Sequence, residues 1–208
     1  MTRRLVAALT IALAVFGGSL VGQTRSAAAE GMWVPTYVQQ RNLSCEFAAL
    51  TIATGAYGGW VDEWSFEASV GYDSNPHIGF RGDINGWWGN TWDYGVYPEA
   101  LARALPDFGF SGEVLYGGSG TLTDRLDFGV PTLVWLGLWG DTGWYETDEF
   151  GATYKLVPGY HVMVAYGYDA DGVYLSDPAN GSYTFYDWGT FLWMWYAMDG
   201  MGLAVWPG

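Results

Sequence analysis

The fold is constrained most by the order along the chain of segments with helix patterns and segments with strand patterns. Apolar spacing, first-turn polar residues and closing Gly or Pro residues predict four helices before residue 130, at 42–59, 61–71, 96–109 and 121–129. After that point, β-branched and aromatic residues between turn signals predict five strands and one helix. The strands are 130–139, 160–169, 172–178, 182–188 and 202–207, and the helix is 188–198. This order is typical of an α+β fold, with a helical part packed against an antiparallel β-sheet.

Residues 72–95 separate two predicted helices and contain Gly, Asn, Asp and Pro throughout. They are too aromatic for a disordered linker, so we expect a long packed loop. Loops of this length often carry function. Its tryptophans, Trp87, Trp88 and Trp92, are expected either to line a cleft or to fill the interior of the loop itself.

Residues 1–29 have the layout of a cleavable secretory signal. A basic start, "MTRR", precedes the apolar stretch "LVAALTIALAVFGGSLVG" and the small-residue pattern Ala27-x-Ala29. A retained membrane anchor is the alternative interpretation. We therefore expect one domain over 30–208, a secreted or extracytoplasmic location, and no stable membrane insertion after signal cleavage.

Charge and the inventory of ligand-forming side chains exclude several classes of partner. Removal of 1–29 leaves five Lys and Arg against 22 Asp and Glu, a net charge of −17. Such a surface repels phosphate backbones, so we expect no nucleic acid partner. One cysteine and two histidines are too few for a usual zinc site, and "DADG" at 169–172 is better explained as a hairpin turn than as a calcium loop. We expect no cofactor, no metal and a monomeric protein.

Cys45 is the single cysteine and cannot form an internal disulfide. It is either a small buried hydrophobic residue or a nucleophile. Its predicted position in the first turn of a helix favours a lowered thiol pKa, because helix N-termini stabilise a thiolate. Gln39, six residues earlier, is a candidate donor to an oxyanion. Glu46, in the same first turn, complements the helix dipole.

His161 and Asp177 are the candidate base and the group that orients it. His161 opens one predicted strand and Asp177 closes the next, so an antiparallel hairpin brings them close. An odd loop, such as Asp169–Asp171, or a β-bulge places both on one face of the sheet, and we predict that placement. Taken alone, a histidine at a strand end is more often structural than catalytic. His77, in the long loop, is the second candidate base.

Together these segments resemble a known family. "QQRNLSCEFAAL" and "GYHVMVAYGYDADGVYLSDP" are similar to the papain-like cysteine peptidases, in particular to the bacteriocin-processing, double-glycine leader peptidases and their secreted, stand-alone relatives. The resemblance implies a papain-like fold, with Cys45 as nucleophile, His161 and Asp177 completing a triad, and Gln39 in the oxyanion hole. Glu46 departs from the glycine usual in leader peptidases. Those enzymes act on the cytoplasmic side, so the fold and triad carry over better than double-glycine specificity.

The predicted function is that of a secreted cysteine peptidase-like hydrolase that acts on a peptide or protein substrate. One alternative is an inactive peptide- or cell-wall-carbohydrate-binding module with a papain-like fold, in which Cys45 is buried and unreactive. Another is amidase or transamidase chemistry on peptidoglycan, which uses the same residues. A glycosidase is a weaker interpretation, because it needs two converging carboxylates that the sequence does not single out.

Overall fold

The computed structural model describes residues 31–208, so the predicted signal at 1–29 lies outside the described residues. Its helices are α1 (Cys45–Ala56), α2 (Glu63–Val70), α3 (Pro98–Ala104), α4 (Ser119–Asp127) and α5 (Trp188–Ala197), with a 3-10 turn at Leu105–Phe108. Its strands are β1 (Phe110–Leu115), β2 (Thr132–Gly137), β3 (Trp144–Thr147), β4 (Thr153–Leu156), β5 (Tyr160–Tyr168), β6 (Gly172–Asp177), β7 (Ser182–Asp187) and β8 (Gly202–Pro207).

Six strands form one antiparallel sheet in the order β1-β8-β2-β5-β6-β7, and β3 and β4 form a separate hairpin. The predicted α+β class, the helices and the five strands are confirmed. The sequence patterns did not predict β1, β3 or β4. The sequence of β1, "FSGEVL", contains polar residues and glycine, and β3 is largely exposed, so neither has the apolar alternation of a core strand.

Helices cover both faces of the sheet and create two hydrophobic cores. Val162 and Val164 of β5 face the core that contains α1, whereas Met163 and Ala165 face the core that contains α5. This follows from the strand period of two. Residues 45–55 of α1 are all buried, because the helix lies between the sheet and the segments that follow it. The first turn of α1 is therefore an interior environment.

Residues 73–95 contain no helix and no extended strand, which confirms the predicted long packed loop. Isolated β-bridges join Tyr72 to Phe80 and Arg81 to Gly95. The Arg81 guanidinium fastens the loop internally by donating to the backbone carbonyl of Thr91 at 2.7 Å. The loop thus has a fixed internal framework and ends directly before α3.

The β5–β6 hairpin contains an irregularity that matters for the site. The register pairs Tyr168 with Val173 and Gly167 with Tyr174, but then Ala165 with Leu175, which leaves Tyr166 as a bulge. The turn itself is closed by a bond from the Asp169 N–H to the Gly172 carbonyl at 2.9 Å. The "DADG" segment is therefore a hairpin turn, as predicted. Among the helices described, none has the length and apolar character needed to cross a bilayer.

Candidate active site

His161 and Asp177 form a buried pair at one end of the hairpin. His161 Nε2 lies 2.6 Å from Asp177 Oδ1, and that oxygen also accepts the Ala179 N–H at 2.8 Å. Burial by itself would raise the pKa of Asp177, but the hydrogen bond and charge of His161 outweigh it and hold this pKa below its usual value. The prediction that both side chains share one face is confirmed. Because Asp177 binds Nε2, Nδ1 is the ring nitrogen left to meet a nucleophile.

Gln39 lies beside this pair, on the segment that leads into α1. Its backbone N–H donates to the Pro178 carbonyl at 2.8 Å, which ties the segment to the end of β6. Its side-chain Nε2 donates to the carbonyls of Arg41 at 2.8 Å and Asn42 at 2.9 Å. Gln39 is therefore close to the site, but its amide group braces the loop in this structure.

A cavity of about 290 Å³ opens at the His161–Asp177 pair. Its lining residues come from six separate segments: Gln39, Asn42, Trp88, Leu138, His161, Met163, Asp177, Ala179 and Tyr186. Its volume is at the lower limit of small-molecule pockets, which suits part of a peptide chain. The histidine and aspartate thus face a space that a substrate can occupy.

Of the three loop tryptophans, only Trp88 lines this cavity. Its indole N–H donates to the Tyr160 carbonyl at 2.8 Å, and its ring meets Trp139 edge-on at 4.9 Å between centroids. Trp87 is 85% exposed and Trp92 borders a different groove. Of the two alternatives, lining a cleft holds for Trp88, which is bonded to β5, whereas Trp87 and Trp92 are too exposed to fill the interior of the loop.

Cys45 is the first residue of α1 and is only 7% exposed. Its Sγ donates to Glu46 Oε2 at 3.3 Å, and within residues 31–208 it makes no hydrogen bond to His161. Burial and then the adjacent Glu46 carboxylate raise the pKa of the Cys45 thiol well above its ordinary value, although a backbone contact from Val162 opposes them. The expectation that the helix N-terminus lowers this pKa is wrong, because burial and a neighbouring negative charge outweigh the helix dipole.

Glu46 is fully buried and is held by two further elements. Its Oε1 accepts the Val96 N–H at 2.9 Å and the Tyr160 hydroxyl. Burial raises the pKa of Glu46, and these hydrogen bonds act against that rise. From the sequence alone, Glu46 is predicted only to lie in the first turn of the helix, near the positive end of its dipole. Its contacts with the thiol, the loop and β5 depend on the tertiary structure.

The other candidates lie elsewhere. His77 Nδ1 pairs with Glu99 Oε2 at 2.7 Å, its ring meets that of Tyr97 at 4.8 Å between centroids, and it does not line the His161 cavity. As for metals, nowhere in 31–208 do three His, Cys, Asp or Glu side chains converge as ligands. His161 is therefore the candidate base that faces the cavity, and His77 is not.

Comparison with known proteins places this chain in a family. Residues 32–203 match the model of the Peptidase_C39-like family. The chain belongs to that family. The resemblance inferred from the two sequence motifs is thereby confirmed: the chain is C39-peptidase-like by family and shares the fold of solved C39 peptidases. No curated protein matches the chain.

Solved C39 structures share the fold. A C39-like peptidase from Bacillus anthracis is 20% identical, with a TM-score of 0.69 over 85% of this chain and 98% of that one. The peptidase domain of Streptococcus ComA, a bifunctional ABC transporter of a quorum-sensing pathway, is 16% identical, with a TM-score of 0.55 over 84% and 98% of the two chains. A double-glycine-motif protease from an AMS/PCAT transporter, solved with its leader peptide, is 15% identical, with a TM-score of 0.53 over 86% and 94%.

Proposed function

We propose that this C39-like protein hydrolyses peptide bonds with Cys45 as nucleophile, His161 as general base and Asp177 as the group that orients the imidazole. The observation that carries the proposal is the His161–Asp177 pair, joined at 2.6 Å and open to a cavity. The strand that bears His161 packs against α1, whose first residue is Cys45. The three residues thus come from elements in contact.

The proposed reaction begins when the Cys45 side chain turns from Glu46 toward His161 Nδ1, which accepts the thiol proton. The thiolate attacks the substrate carbonyl carbon, and Asp177 stabilises the imidazolium through Nε2–H. The imidazolium then protonates the leaving amine, which leaves a thioester. Water, deprotonated by His161, hydrolyses that thioester and restores the free thiol.

The oxyanion of each tetrahedral intermediate needs hydrogen-bond donors. The Cys45 backbone N–H is one candidate, because the first N–H groups of a helix have no partner within it. Gln39 is the second, and its side chain must release the carbonyls of Arg41 and Asn42 before it can donate to substrate. Both the nucleophile and this donor therefore require local rearrangement for catalysis.

The proposed substrate is a peptide or protein met outside the cytoplasm. Trp88, Leu138 and Met163 give the cavity an apolar wall, which accommodates an apolar side chain. The charge of −17 after residue 29 favours a peptide that carries cationic residues elsewhere. The extracytoplasmic location rests on the signal-like segment at 1–29.

A second candidate function is favoured by the burial of Cys45. A peptide- or cell-wall-carbohydrate-binding module that keeps the papain-like fold would have a thiol that is buried and bonded within the protein, as observed. Strongly exposed aromatic rings, such as Trp87 and Trp92, are also suited to stacking on sugars or peptides. This candidate retains binding and lacks hydrolysis.

A peptide-library digest tests the two functions against each other. We expect the wild-type protein to cleave a subset of peptides, and Cys45→Ser and His161→Ala to cleave none. Peptidoglycan fragments added in parallel detect the amidase alternative by release of peptide from sugar. If the wild-type protein cleaves neither peptides nor peptidoglycan fragments, and Cys45→Ser binds them with the same affinity as the wild type, the binding module is the correct function.

A further inference from the structure

We propose that Glu46 is a positioning residue that holds the Cys45 thiol protonated and directed into the protein interior at rest, so that the nucleophile must leave Glu46 before it meets His161. This inference rests on the proposed role of Cys45 as nucleophile. It assigns a function to the residue at which this chain departs most clearly from the leader peptidases it resembles.

The two carboxylate oxygens of Glu46 have separate partners. Oε1 is held by the Val96 N–H at 2.9 Å and by the Tyr160 hydroxyl, one from the end of the loop and one from β5. With Oε1 fixed in this way, Oε2 faces Cys45 Sγ at 3.3 Å. The thiol is therefore bound to a carboxylate whose position two other elements determine.

Gly95 makes room for this arrangement. Its φ of +144° is rarely adopted by residues with side chains, and a Cβ there would collide with both the Tyr160 hydroxyl and Glu46 Oε1. The Gly95 backbone thus leaves no room for a side chain beside the carboxylate. Glu46 therefore occupies a site that the surrounding backbone is shaped to hold.

The hydrogen-bond direction favours the thiol over the thiolate. A carboxylate can accept the S–H of Cys45 but repels a thiolate at the same distance. The titratable groups that face Glu46 are Cys45 on its own helix, Tyr160 on β5 and Tyr94 on the loop. Both tyrosines are neutral donors at physiological pH, so neither supplies a positive charge that would reverse the effect.

Tyr160, the first residue of β5, connects the cavity to the contact between Glu46 and Cys45. Trp88, which lines the cavity, donates to the Tyr160 carbonyl, and the Tyr160 hydroxyl donates to Glu46. A substrate that displaces Trp88 therefore acts on a residue that contacts the carboxylate. At rest, a protonated thiol is also less exposed to oxidation than a thiolate, which suits an unpaired cysteine outside the cytoplasm.

Titration of the thiol in wild type and Glu46→Gln tests the proposal. The glutamine carbonyl oxygen can still accept from Val96 and Tyr160, but its NH₂ group then donates to the sulfur and favours the thiolate. Because Cys45 is the only cysteine, alkylation by iodoacetamide, followed by mass spectrometry, reports on it alone. We expect a wild-type midpoint above the ordinary value of about 8.5, and a midpoint in Glu46→Gln lower by about one pH unit, equal to about tenfold more thiolate at neutral pH.

Glu99→Gln is the matched control. The Glu99 carboxylate also accepts a tyrosine hydroxyl, that of Tyr116 at 2.6 Å, but its other partner is His77 rather than a thiol. We expect its Cys45 midpoint to equal that of the wild type. A wild-type midpoint well below 8.5, or a Glu46→Gln midpoint equal to the wild-type value, would overturn the proposal.

Folding of the variant and activity of the enzyme are measured separately from the thiol titration. Circular dichroism establishes whether Glu46→Gln folds. If it does not, Tyr160→Phe, which releases one of the hydrogen bonds that fix the carboxylate, takes its place, and a Cys45 midpoint equal to that of the wild type would then overturn the proposal. The thiol titration also needs no peptide cleavage. If the Cys45 midpoints of wild type and Glu46→Gln differ as expected but no peptide is hydrolysed, the peptidase function alone is rejected. If the wild-type protein hydrolyses peptides and Cys45→Ser does not, but the two midpoints are equal, the role of Glu46 alone is rejected.

Discussion

His161 and Asp177 meet at 2.6 Å because strand β5 carries one more residue than β6 opposite it, at Tyr166. Beyond the turn, the pairing of Tyr168 with Val173 would place the two side chains on opposite faces if it continued unchanged. The bulge shifts the register by one, so that Val164 pairs with Ser176 and both side chains point to the same side. One inserted residue therefore creates the candidate acid–base pair.

The first prediction concerns catalysis by this pair. Asp177→Asn keeps the size of the side chain but removes the negative charge that stabilises the His161 imidazolium, so we expect kcat/KM to fall by about tenfold or more. Peptide cleavage measured across pH provides the check. Asp169→Asn, in the turn of the same hairpin, is the control and should cleave at the wild-type rate. Equal activity of Asp177→Asn and wild type would contradict the proposed triad.

The second prediction concerns stability in acid. Because the folded pKa of Asp177 lies below its unfolded value, the pair stabilises the protein at neutral pH, and this contribution is lost as pH falls through the folded pKa. We expect Asp177→Asn to unfold more easily at pH 7 by on the order of 1 kcal/mol. The difference should shrink below the ordinary carboxyl value of about 3.9. Urea unfolding at a series of pH values measures it, and a difference that is constant with pH would exclude this linkage.

The third prediction separates two adjacent tryptophans. Trp88→Ala removes a wall of the cavity and the bond to the Tyr160 carbonyl, so we expect kcat/KM to fall about tenfold, mainly through a higher KM. Trp87→Ala removes a side chain that is 85% exposed and does not line the cavity, so its kinetics should match those of the wild type. Steady-state kinetics of both variants and the wild type on one cleaved peptide measure these changes in kcat and KM. Equal losses in both variants would show that the cavity wall is not the substrate site.

The fourth prediction concerns the glycine beside Glu46. Gly95→Ala combines a left-handed backbone with a collision against Glu46 and Tyr160, so we expect a loss of several kcal/mol, on the order of 3 or more, in the free energy of unfolding. Gly58→Ala is the control, because its φ of +81° is also positive but no atom lies within 4 Å of the added Cβ. That variant should lose only about 1 kcal/mol. Urea unfolding compares them, and similar losses would argue against a tight fit at Gly95.

Most of the fold followed from local patterns. The helix at 45–56 and the hairpin around 169–172 have strong local signals, namely apolar spacing with stop residues in one and a turn motif between β-rich runs in the other. Strands β1 and β3 could not be predicted in this way. Their sequences are polar or exposed, and they pair with strands that are distant or that have equally weak patterns.

For the candidate site, the sequence by itself determined which residues can carry the chemistry: one cysteine at a helix start, a histidine at a strand start and an aspartate at the next strand's end. Only the tertiary structure decided their relations. The bulge at Tyr166 selects the face that His161 and Asp177 share. Glu46 meets Val96 and Tyr160 across 50 and 114 residues of sequence. Burial of Cys45, together with the adjacent Glu46 carboxylate, raises the thiol pKa, opposite to the effect expected of the helix N-terminus. Such effects arise from burial and long-range contacts, which local sequence patterns do not encode.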